Sequence, residues 1–310
     1  MLCCQLICRI MYNIQFEQIL AQKYHLTKYQ TPAGEEILAL TRDNVARIEA
    51  ILSIDSNYKK SGDAKLSPII GEYNKRGNNH NKGDKYIKYM GSSAFWLTKL
   101  KELRCTKNIQ IYLDSTNDIA KSWRDNIIDV GIGNNNDSYP LDVTIYGAVS
   151  AVDSENSTHL SSDSKNNEYG NGRIELTMRL LNMWNNLENR LLRRDYRIVY
   201  ELANKTNNGI GRQNYAFATK FCHYACYYWF IGRPEQDNYS ICDNVLRKAV
   251  VMYANIFELY NILNQGIKFT EDDFDNYALF SSVVDMLRNN YGEHISRNGF
   301  DHLLWYYYKG

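Results

Sequence analysis

The stretch Asn207–Val250, NNGIGRQNYAFATKFCHYACYYWFIGRPEQDNYSICDNVLRKAV, holds most of what the chain says about its fold. It opens on Gly209-Ile210-Gly211, two glycines around one apolar residue, which permits a tight turn between two helices. A second helix begins near Arg212. Its first N–H groups lack intrahelical partners, and together with the helix dipole they favour an anion such as a phosphate. A plain helix end is the other reading of the same residues. Along this second helix Phe217, Phe221, Tyr224 and Tyr228 share one face, which should be core. Lys220, His223 and Tyr227 share the adjoining face. Gly232-Arg233-Pro234 stops the helix, and an extended Tyr239-Ser240-Ile241-Cys242 leads into Asp243. Asp243 opens a third helix whose body holds Leu246, Val250, Tyr253, Ile256 and Phe257, where an aspartate serves as a cap or as a functional carboxylate.

Outward from this stretch the C-terminal half reads as helical. Leu176, Leu180, Met183, Trp184, Leu187 and Leu191 form a stripe over Arg173–Arg194, and helical patterns recur at 200–205, 243–263, 272–289 and 298–308. The N-terminal half is more mixed. Residues 34–52 have helical spacing interrupted at Thr41-Arg42-Asp43, a cap joining two helices; residues 92–103 are amphipathic and residues 115–130 form a plausible helix. Ile109–Leu113 and Leu141–Val152 have strand composition. Residues 55–85 form a polar loop rich in lysine, either solvated or phosphate-contacting. The Ser-, Asn- and Asp-rich stretch 153–172 reads as a mobile linker and sets the expected domain boundary, with one lobe at 1–170 and a helical lobe at 171–310.

Composition limits the function classes. The 310 residues carry 36 Lys+Arg against 35 Asp+Glu, so a polybasic nucleic-acid coat protein is excluded while a local basic face is not. There are 25 tyrosines and 34 asparagines, a bias towards many punctuated elements. The seven cysteines form an odd set suited to a reducing compartment. Cys222 and Cys226, four apart beside His223, read as buried thiols rather than zinc ligands. No window of 18 apolar residues occurs, and the first 14 residues lack the features of a targeting segment, so a cytoplasmic protein without membrane contact is expected.

The order helix, Gly-x-Gly hairpin, helix, then an aspartate opening a further helix resembles the helix-hairpin-helix DNA glycosylase superfamily. The likeness is closer to a bacterial group written roughly F-A-T-K-F-C-x-(Y/H), then P-x-Y-D, with an arginine four residues past the aspartate. This chain has Phe217-Ala218-Thr219-Lys220-Phe221-Cys222-His223-Tyr224, then Tyr239-Ser240-Ile241-Cys242-Asp243, then Arg247. Its ending, Phe300–Lys309, FDHLLWYYYK, is similar to that group's last helix. Residues 1–170 carry no part of the likeness.

The resemblance implies a mainly α, two-lobed helix-hairpin-helix glycosylase-like fold with a few short strands in the N-terminal half. It implies Asp243 as the catalytic carboxylate, and a DNA phosphate held by Gly209, Ile210, Gly211, Arg212 and Gln213, with Arg247 as a further phosphate contact. The slot for a Schiff-base lysine directly after the hairpin holds Gln213 or Asn214, which cannot serve as the amine. A monofunctional hydrolase with Lys220 as a supporting charge is therefore expected, and a lyase acting through Lys220 is the alternative. A glycosylase flips its target nucleotide into a pocket, for which Trp123, Arg124 and Asp125 are the candidates, with Trp184 and Trp305 behind them. Relatives of this kind act on oxidised purines or on glucosylated hydroxymethylcytosine in phage DNA. The expected partner is double-stranded DNA bound by a monomer, with no metal and no cofactor beyond a monovalent cation at the hairpin. The competing readings are a non-catalytic DNA binder and a Tyr-rich interaction protein.

Overall fold

A computed structural model of the chain describes residues 25–49, 93–104, 140–156, 160, 171–203, 212–263 and 266–309. Among the described residues it is mostly helical, with one small antiparallel hairpin. Contacts group the chain into two compact units, one formed by residues 82–244 and the other by residues 1–81 together with 245–310.

In the middle unit the described elements are α2 (Ser93–Arg104), α3 (Leu141–Asn156), α4 (Asn171–Leu192), α5 (Arg197–Ala203) and α6 (Arg212–Trp229). Helix α6 is the centre, packing on α2, α3 and α5. The stripe read on α4 is its buried face: Leu176, Leu180, Trp184, Leu187 and Leu191 are all inside. Helix α3 is the main correction to the sequence reading, which took its residues for a strand. Every residue from Leu141 to Asp153 is buried, so no polar face exists to reveal a helical period. Gly147 brings α3 close against α2, since a Cβ there would come within 2.5 Å of the Trp96 ring.

Asp153, expected in a linker, instead lies inside α3 and is 3 % exposed. It accepts from Nε and Nη2 of Arg173 at 2.9 and 2.7 Å and from the Leu160 N–H at 3.1 Å. Helices α3 and α4 flank the expected boundary at residue 170, yet they pack together within one unit.

In the other unit β1 (Lys28–Gln30) pairs antiparallel with β2 (Glu36–Leu38), Tyr29 opposite Ile37. The sequence reading placed a helix over residues 34–40. The turn Thr31-Pro32-Ala33-Gly34 closes a hairpin instead, with Gly34 at φ 84° and its N–H donating to the Thr31 carbonyl at 2.9 Å. The expected cap does form one step later. Thr41 Oγ1 accepts from the Asn44 N–H at 3.2 Å at the head of α1, residues 42–49. Asn44, fully buried, ties α1 to the hairpin through Thr27 and the Ala39 carbonyl.

The C-terminal elements of this unit are α7 (Asn244–Ile256), α8 (Leu259–Ile262), α9 (Tyr277–Met286) and α10 (Arg297–Lys309). One helix expected over 243–263 is thus two, broken where Glu258 takes a left-handed φ of 52°. Tyr253 hydroxyl donates to the Leu38 carbonyl at 2.5 Å, joining α7 to β2.

Candidate functional site

The best-defined constellation in the middle unit lies where α6 meets the segment 238–243. Helix α6 breaks at Phe230-Ile231-Gly232, and Gly232 at φ 77° lets the chain reverse. A single 3₁₀ turn, Pro234–Asp237, follows, and the chain then runs extended back along α6. Three positions of α6 hold it there. His223 Nδ1 lies 2.8 Å from the Tyr239 carbonyl, so Nδ1 carries the proton and donates. Thr219 Oγ1 accepts from the Cys242 N–H at 3.1 Å. Lys220 Nζ lies 3.1 Å from Oδ2 of Asp243.

The Lys220 and Asp243 side chains are 8 % and 11 % exposed. An ion pair removed so far from water gains little net stability, because desolvation of both charges offsets their attraction. Its chemical content is a carboxylate beside an ammonium group, at the residue just before α7 begins. His223 is 1 % exposed, with its ring stacked on Tyr227 at 6.4 Å between centroids. Lys220, His223 and Tyr227 therefore do line one face, as their spacing predicts. Of the predicted core face, Phe217 and Phe221 are buried and stacked, while Tyr224 and Tyr228 are only half-buried.

From the other side the segment rests on the turn between α4 and α5. Asn238 Nδ2 donates to the Leu191 and Leu192 carbonyls at 2.9 and 3.1 Å, and Tyr239 hydroxyl donates to the Asp195 carbonyl at 3.2 Å. Sequence reading missed this turn, and it missed Thr219. Both act through backbone groups, which no residue spacing reveals. The consecutive arginines at 193 and 194 were visible but fell at the end of a stripe read for its leucines.

The remaining expected site residues divide as follows. Gly209, Ile210 and Gly211, and likewise Trp123, Arg124 and Asp125, lie outside the described residues, as do the lysine-rich loop and the expected elements at 109–113 and 115–130. Helix α6 does begin at Arg212, which puts the N–H groups of Arg212 and Gln213 in its first turn. Arg247 is 8 % exposed within the other unit, where Nη1 donates to the Glu271 carbonyl at 3.0 Å and to Asp275 at 2.5 Å. That engagement ties α7 to the 3₁₀ turn Asp272–Asp275. Trp184 is core: it is 6 % exposed, edge-on to Trp229, with Arg104 over its ring. Trp305 is half-buried on α10, in the unit that does not hold Asp243.

Cys222, Cys226 and Cys242 are buried free thiols. Burial pushes the Cys222 and Cys226 thiols far up, which suits packing and not nucleophilic attack. Among the described residues no group of three or more His, Cys, Asp or Glu is placed to hold a metal ion, and no helix is long and apolar enough to cross a membrane. Set against protein-family models, curated proteins and solved structures, the chain finds no significant match in any of the three.

Proposed function

We propose that this chain is a DNA N-glycosylase that hydrolyses the bond between a modified base and its deoxyribose, with Asp243 as the catalytic carboxylate. The observation that carries the reading is the buried Lys220–Asp243 pair, set at a helix start and fixed by its neighbours Thr219 and His223. A structure gains little by burying such a pair for stability alone, whereas a reaction that builds charge on a substrate gains directly from it. Cleavage of an N-glycosidic bond builds positive charge on the sugar. The Asp243 carboxylate stabilises that charge and takes the proton of the attacking water, while the base leaves with the bonding electron pair. Helix α6 supplies the second support. Its N-terminus follows directly on Gly209-Ile210-Gly211, and Lys220 stands eight residues along it, a rise of about 12 Å, so a phosphate at the helix start and a sugar at Asp243 belong to one bound strand. The partner in this reading is duplex DNA with its target nucleotide flipped out. The substrate class is a modified base, a glucosylated hydroxymethylcytosine or an oxidised purine.

A specific observation favours a second reading. Lys220 was expected as a supporting charge, with a lyase acting through it as the alternative, and its Nζ lies 3.1 Å from the proposed catalytic carboxylate. An amine so placed can attack C1′ once it has passed its proton on, which makes a combined glycosylase and lyase. While Lys220 remains the charged partner of Asp243 the hydrolytic reading holds, because an ammonium group has no lone pair to attack with.

The test is mass detection of bases released from a panel of modified DNAs, phage DNA included, with borohydride present in parallel. The hydrolytic reading expects base release that Asp243→Asn abolishes and no trapped adduct. An adduct that disappears in Lys220→Gln would establish the second reading. No release from any substrate while DNA is still bound would leave a binding protein.

A further inference from the structure

We propose that the turn between α4 and α5, Arg193-Arg194-Asp195-Tyr196-Arg197, is a docking surface for the sugar-phosphate backbone of DNA, flanking the nucleotide held at Asp243. The inference rests on the glycosylase reading and extends it to a surface that neither the hairpin nor the aspartate includes.

Charge is the first argument. Asp195 accepts from Arg190 Nε at 2.9 Å and from Arg197 Nε and Nη2 at 2.8 and 3.1 Å. The other face of the Arg190 guanidinium is taken by Glu201, at 2.6 and 2.8 Å. The stretch 190–201 carries four arginines, Arg190, Arg193, Arg194 and Arg197, against these two carboxylates. Two of the four meet solvent: Arg193 is exposed, and the Arg197 side chain is 82 % exposed beside Asp195. In a chain with a net charge of +1 this is a local concentration, not a share of a general excess. Asp195 also splints Arg197, so its guanidinium fork is held in position for a phosphate, the geometry that arginine recognises best.

The backbone supplies an independent argument. Helix α4 ends with the Arg194 N–H on the Leu191 carbonyl at 3.2 Å and the Asp195 N–H on the Arg190 carbonyl at 3.0 Å. This is the motif whose left-handed position is ordinarily a glycine, yet it holds Arg194 at φ 57°. The chain keeps a guanidinium where glycine would fold with less strain. That guanidinium lies over the Tyr196 ring, 5.4 Å from its centroid.

Placement is the third. The turn holds Asn238 and Tyr239 through three hydrogen bonds, and Tyr196 packs edge-on against Tyr239 at 5.8 Å. From Tyr239 to Asp243 the chain spans at most about 13 Å when extended. That is about four base pairs of rise along a duplex, so a strand reacting at Asp243 continues past the arginines.

The experiment measures binding of the full chain to an unmodified duplex across a range of salt concentrations. For Arg193→Ala with Arg197→Ala, the slope of log K against log salt should shrink by nearly two, about 0.9 for each phosphate left without its arginine, with affinity falling at least tenfold at low salt. Lysine at both positions should restore the slope. Arg194→Gly should shrink it by about one while the melting temperature holds or rises, an outcome that loss of fold cannot produce. An unchanged slope in all three variants, with the parent chain binding normally, overturns the docking surface and spares the glycosylase reading. A parent chain that binds no DNA at all overturns both.

Discussion

Lys220 and Asp243 meet at 3.1 Å between Nζ and Oδ2, and neither side chain is more than 11 % exposed. Breaking such a pair differs from deleting it. Asp243→Asn leaves a buried ammonium without its counter-charge and should cost about 3 kcal/mol of stability in urea unfolding, together with all base release. Lys220→Met combined with Asp243→Leu removes both charges and should recover most of that stability while the chain stays inactive. If the double variant is no more stable than the single, the pair was a net stabiliser and the functional reason for its burial weakens.

His223 acts on Asp243 only through the backbone, by holding the Tyr239 carbonyl. His223→Ala leaves that carbonyl without its buried donor and loosens the segment that carries the aspartate. Single-turnover base release should slow about tenfold, which is roughly 1.4 kcal/mol of barrier, with duplex affinity unchanged. A parallel loss of affinity would mean that His223 touches DNA itself.

Asp195 is pulled from 3.8 down to about 2, most strongly by its hydrogen bond to Arg197 and then by Arg190, with burial opposing both. Because its folded value lies below the unfolded one, its stabilising effect is present above about pH 4 and is lost as pH falls towards 2. One side of the network faces water, so Asp195→Asn should cost no more than about 1 kcal/mol at pH 7. Urea unfolding of parent and variant should converge near pH 2, and a difference that persists there would place the cause elsewhere.

Gly147 tests the packing of the middle unit. With Trp96 fully buried against it, the methyl group of Gly147→Ala has nowhere to go, and the variant should lose about 2 kcal/mol by thermal unfolding. An unaffected melting temperature would mean that α2 and α3 are less closely packed than described.

What could be read from the sequence follows from how each element meets water. Helix α4 alternates wet and dry faces, so its buried leucines stood out, and so did Phe217 and Phe221 on α6. Helix α3 has no wet face, and its Val, Ile and Thr content then spoke for a strand. The hairpin at 28–38 was hidden because Ile37 and Leu40 also fit a helical repeat, and only the TPAG turn decides between them. Asp243 and Lys220 were each singled out, but their pairing was not. They are 23 residues apart on different elements, and the reversal at Gly232 is what brings them together. Arg247 was read by its spacing from Asp243, and spacing says nothing of Asp275 on a distant turn.

The unit built from both ends of the chain sets an order of events during synthesis. Leu38 receives the Tyr253 hydroxyl across 215 residues of sequence, so the hairpin that Asn44 braces waits for a partner that emerges late from the ribosome. Helices α2 to α6 can collapse on one another while the early hairpin still lacks most of its core. A nascent chain halted before residue 245 should therefore resist protease across its middle while the first strands are still cut.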